Sequence, residues 1–143
     1  MATDIWPYIE YFVKKKKTFV LAPIDLEAEE LDARNYAMFC AMGGGICVDG
    51  IGIKFPARGL PDDLSPELYK RQKGKADFHT KSWLATEELK ECIDYVREKL
   101  VTKCNYSVED VDESLEPYLK IYRRMKDFED EGEPARLVFW FDN

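Results

Sequence analysis

A chain of 143 residues, 45% hydrophobic and 34% charged, is one domain's worth, with enough apolar side chains for a core and too much charge for a membrane span. Four cysteines with no C-x-x-C spacing, beside a single histidine, argue against a structural zinc, and no metal or cofactor is expected. The net charge of −7 resides in residues 86–133, which hold 15 acidic and 8 basic residues, so nucleic acid is not an expected partner.

The start, "MATDIWPYIEYF", lacks the charged opening, apolar centre and small-residue cleavage site of a signal peptide, which predicts a cytoplasmic protein. "DIWPYIEYFV" and "TFVLAPI" are dense in aromatic and β-branched residues and flank four lysines at 14–17, the pattern of an antiparallel hairpin with a solvated tip. Pro7 has no N–H for a ladder, which points the first strand to a sheet edge or a bulge. "DARNYAMFCAMGGG" then reads as a short helix, with Asp32 as its cap, Tyr36, Phe39 and Cys40 on one face, and a stop at the glycines 43–45.

Residues 43–81 are loop-rich, with short strands expected at 46–48 and 51–55. The glycines there are turns and not a phosphate loop, since no Lys-Ser or Lys-Thr follows them and Gly50-Ile51-Gly52 lacks a third glycine opening a helix. Ser65 caps a helix with Pro66 at its first position. In "TEELKECIDYVREKL", Leu89, Cys92, Ile93, Val96 and Leu100 form one apolar stripe, on which Cys92 serves as a small hydrophobe. A further helix is expected from about 114 to 130, with Pro117 in its first turn. "ARLVFWFDN" is apolar on both alternations, as a buried central strand is. Together these elements predict an α+β domain over residues 1–143, its antiparallel sheet built from the N-terminal hairpin and the C-terminal strand, with helices packed on it.

Chemistry concentrates in "ADFHTKSWLATEEL" (76–89). Asp77, His79 and Ser82 are the residue types of a nucleophilic triad, but their close spacing and the absence of a G-x-S-x-G turn weigh against one. Asp77 orienting His79, with Trp83 anchoring the helix that follows, is the structural alternative. Arg58 sits on the proline-stiffened loop Ala57-Arg58-Gly59-Leu60-Pro61, where its donor fork suits either backbone carbonyls or an anion. Asp62 and Asp63 fit a turn ahead of the helix start better than a metal pair.

"RNYAMF", "RGLPDDLSPE", "DFHTKSWLATEEL" and "RLVFWFDN" together resemble a family of small, largely uncharacterised proteins encoded by bacteriophages and prophages. The chain departs from that family's pattern where Ala33 separates Asp32 from Arg34, where Thr80 replaces a common serine, and where the glycine run follows the first helix. The resemblance implies a phage or prophage origin, a bacterial host cell as the setting, and a shared polar site. The expected function is an accessory protein in which Arg34, Asn35, Arg58, Asp77, His79, Ser82 and Trp83 hold a small anionic ligand such as a nucleotide, for example to sequester a host defence signal. A protein-interaction module using the acidic helical face against a host protein is the first alternative. A small hydrolase-like enzyme with His79 as base is the second. The oligomeric state is not legible from the sequence.

Overall fold

The computed structural model describes residues 2–24, 26 and 34–143. The aromatic hairpin forms as β1 (Asp4–Val13) and β2 (Thr18–Leu21), turning at the lysines, where Lys17 takes a positive φ of 52°. The last strand, β4 (Ala135–Asp142), pairs antiparallel with β1 from Asp4↔Asp142 to Tyr11↔Ala135. On its other side lies β3 (His79–Ala85), giving the antiparallel order β2-β1-β4-β3. The fold is thus α+β, with the C-terminal strand central and all but its last residue buried.

β3 corrects the sequence reading, which took residues 76–85 as the run-up to a helix. With Trp83, Leu84 and Ala85 apolar, the segment has enough bulk to pair with β4, and the strand passes directly into α3 (Thr86–Thr102). Pro7 lies in an interior strand, yet β2 reaches only Glu10 to Val13 of β1. Ile9 gives its carbonyl to Ala22 on the β2 side. By the two-residue period, the missing N–H of Pro7 points to that same side, beyond the end of β2, where no ladder bond is lost.

The sheet buries both faces. One carries Ile5, Ile9, Leu84, Leu137, Phe139 and Phe141 against α1 (Tyr36–Ala41), α3 and α4 (Val108–Asp130). The other carries Trp6, Tyr8, Val138 and Trp140 under α2 (Pro66–Gln72) and its flanking loops. Ser65 caps α2 through Leu68 N, as its position before Pro66 predicts.

Three further expectations shift. The Asp32 cap lies outside the described residues, and α1 is capped by Asn35, whose Oδ1 accepts from Met38 N at 3.1 Å. Residues 46–48 and 51–55 form no strands. Instead the Lys54 and Phe55 N–H groups bond the Ala41 carbonyl, satisfying the open end of α1. α4 begins at Val108, capped by Ser107 through Asp110 N, so Pro117 is inside the helix and not in its first turn. No helix among the described residues is long and apolar enough to cross a membrane.

Candidate functional site

A cleft of about 640 Å³ lies between the start of α1, the loop at 48–51, and the junction of α3 with α4. Its walls are mainly apolar, including Val48, Ile51, Leu100 and Val111, with Arg34, Asn35, Asp49 and Asp110 contributing polar atoms. Asn35 holds the cleft together. While its oxygen caps α1, its Nδ2 donates to the Ser114 carbonyl of α4 at 3.3 Å. One turn further on, Pro117 cannot donate to the Glu113 carbonyl, so the helix wall of the cleft lacks one internal bond.

Tyr118 also lines this cleft, and its hydroxyl is buried without a hydrogen-bond partner among the described residues. Burial holds the phenol well above its ordinary range, so the group is a neutral donor. Leaving such a donor unpaired costs about 1–3 kcal/mol. Arg34, at the rim, donates from Nε to Asp4 at 2.9 Å, both side chains about half exposed. That pairing keeps Arg34 firmly charged, in solvent that an incoming anion can share.

His79 lies at the end of the sheet where β1 begins and β4 ends. Its Nδ1 is 2.8 Å from Thr80 Oγ1 and its Nε2 is 3.2 Å from Asn143 Oδ1. Asn143 Oδ1 accepts a second hydrogen bond from Thr3 Oγ1 at 2.9 Å, and Thr3 N donates to the Tyr36 hydroxyl at 3.2 Å. Arg34 is therefore tied to Asp4 at the start of β1 and Tyr36 to Thr3 just before it, while His79 reaches Thr3 through Asn143. Asp77 is not in this network. It is exposed in the turn that closes with Phe78 N on the Lys75 carbonyl, and Asn143 takes the orienting place expected of Asp77.

Arg58, Ser82 and Trp83 form a separate assembly where β3 meets α3. The guanidinium forks onto Glu88, with Nη1 2.7 Å from Oε1, donates to the Trp83 carbonyl at 3.2 Å, and lies 4.7 Å from the Trp83 ring centroid. Buried Ser82 accepts from Arg58 N at 3.0 Å. Glu88 in turn accepts from Ala85 N at 2.9 Å, closing the first turn of α3. The fork is filled from within the protein, so Arg58 ties a loop to the sheet and helix.

Several of these residues carry no sequence signal of their own. Tyr118 belongs to an ordinary apolar stripe, and Asn143 follows the last strand. The four cysteines are free thiols, and no group of three or more His, Cys, Asp or Glu among the described residues could hold a metal ion.

An α+β domain with an apolar cleft beside α1 and a polar network at the adjacent sheet end is what the geometry defines. Comparison with family models, curated proteins and solved structures gives no match. Each of the quoted sequence segments has a physical task in the structure: Asn35 caps α1, Arg58 forks onto Glu88, "HTKSWLA" is β3 and "ARLVFWFD" is β4.

Proposed function

We propose that the protein binds a small molecule in the cleft beside α1, one with an apolar or aromatic body and a single anionic group at Arg34. The observation that carries this reading is the cleft itself: apolar walls and a half-exposed arginine at the rim. Asp49 and Asp110 line the same space, which disfavours a polyphosphate and narrows the anionic ligand to one of low charge. Arg58 is not part of the binding set. On the resemblance to phage and prophage proteins, the setting is a bacterial host cell, where such a protein sequesters a small signal.

The test uses anilinonaphthalene sulfonate, an aromatic body bearing one sulfonate, titrated into the folded protein by fluorescence. Saturable one-site binding is expected, weakened roughly tenfold in Arg34→Ala, as for loss of one exposed charge-assisted bond. Ser114→Trp, which fills the cleft, should abolish it. Equal binding by all three proteins overturns the reading. Native mass spectrometry of the protein taken from its host then identifies any retained ligand.

A second reading rests on charge. α3 and α4 pack on each other and expose Glu91, Asp94, Glu98, Glu109 and Glu113 on their outer sides, a surface suited to a basic host protein. Its complex would weaken steeply with salt.

A further inference from the structure

We infer that Thr80, His79 and Asn143 form a nucleophilic centre for acyl transfer, with Thr80 Oγ1 as nucleophile, His79 Nδ1 as its base and Asn143 as the residue that positions the imidazole. This inference is independent of the cleft. In this arrangement the His79 proton sits on Nε2, facing Asn143 Oδ1, which also accepts from Thr3 Oγ1. Nδ1 then keeps its lone pair and accepts from the Thr80 hydroxyl, 2.8 Å away. Nucleophile, base and orienter thus stand in the order that such centres require, with Thr80 and Asn143 in the places that the triad reading gave to Ser82 and Asp77.

The backbone at Thr80 adds a second observation. Thr80 has a φ of 54°, left-handed for a β-branched residue, at a bulge between His79 and Ser82 in the pairing of β3 with β4. Strain of that kind is held only where the surroundings impose it. Here they do. Gly59 N bonds the Lys81 carbonyl, Arg58 N bonds Ser82, and the Lys81 side chain is held by Gln72, so both following residues are fixed. On the opposite side the glycine turn closes in: a Cβ at Gly43 would lie 3.7 Å from Thr80 Cγ2, and one at Gly45 would meet the Phe141 ring at 2.5 Å. Thr80 itself stays partly exposed.

The chemistry balances without a cofactor. Thr80 Oγ1 adds to the carbonyl carbon of an activated ester as its proton passes to His79 Nδ1, and the imidazolium is held through Nε2–H by Asn143. The bond to the leaving group breaks, the alcohol departing with that proton. Water, deprotonated by Nδ1, then cleaves the acyl-threonine, releasing the acid and restoring the hydroxyl.

The probe is p-nitrophenyl acetate on the full chain, with peptide mapping of the acetylated protein. An acetyl group on Thr80 is expected in the wild type and in Thr80→Ser, and none at this position in Thr80→Val. His79→Gln should slow acylation about 100-fold or more. Because His79 is the only histidine, its nitrogen-15 spectrum reads one ring. The Nε2–H tautomer is expected in the wild type, with a mixture in Asn143→Ala, a change that a merely structural asparagine would not produce. A wild-type protein that is unmodified at Thr80, or whose ring is the Nδ1–H tautomer, overturns the inference, even if Thr80→Val fails to fold.

Discussion

Glu10 and Arg136, 126 residues apart in the chain, face each other across the β1–β4 register and close a buried ion pair. Arg136 Nε and Nη2 lie 2.8 and 2.7 Å from Glu10 Oε1, Ser65 N donates to Oε2 at 2.8 Å, and Arg136 Nη1 reaches Asp63 at 2.7 Å. The Phe19 ring covers the guanidinium at 3.5 Å. The pair joins the two central strands and fastens the loop before α2 to them.

Removing one partner strands the other charge in the interior. Arg136→Met should lower stability by about 3–5 kcal/mol, while adding Glu10→Leu should recover most of that loss. Urea unfolding of the wild type, both single variants and the double variant checks this. Simple additivity of the two losses would show that the pair is not coupled.

The Arg58 guanidinium holds the Glu88 carboxyl below its ordinary value of 4.5, chiefly through their hydrogen bond. The unfolded chain therefore binds this proton more readily than the folded one. The resulting stabilisation is complete above about pH 4.5 and is lost as pH falls through the lowered folded value. Glu88→Gln should be less stable at neutral pH and decline less steeply in acid. Parallel pH profiles for the two proteins would count against the Arg58 fork as the cause.

Thiol labelling should follow burial. Burial pushes Cys92 up to about 12, and burial with the neighbouring Cys47 thiol also raises Cys40. With an aromatic disulfide reagent at neutral pH, exposed Cys47 should react first and half-buried Cys104 next. Cys40 and Cys92 should react only as fast as the protein opens. Early labelling of Cys92 would contradict its packing between α3 and the Ala41 carbonyl.

Thr80→Gly should stabilise the fold by about 1 kcal/mol, since glycine adopts the left-handed conformation freely. The same substitution removes the hydroxyl paired with His79. A calorimetric melt at lower temperature than wild type would mean that the Thr80 side chain contributes more through packing than its backbone loses through strain.

The sheet was largely legible because its main strands announce themselves: the alternation of β1 and the doubly apolar run of Leu137 to Phe141 both encode burial. β3 was not, because "HTKSWLA" is polar at its start, carries a bulge, and runs without a turn into α3. α4 was read too short because Pro117 was placed at a helix start, whereas Ser107 supplies the cap ten residues earlier. Candidate residues could be chosen by type, but not their partners. Arg58 looks free until Glu88 folds against it, and Asn143 meets His79 only once β4 lies beside β3.

The strand order also sets the timing of folding. β4 leaves the ribosome after β1, β2 and β3, yet it lies between β1 and β3 and pairs with β1 from Asp4 to Tyr11. A nascent chain can therefore pair its aromatic strand only along Glu10 to Val13, with β2, for more than a hundred residues of synthesis, until 135–142 emerge to join the halves. Productive folding is a late event, and the lysines at the hairpin tip and the acidic helices keep the waiting chain soluble.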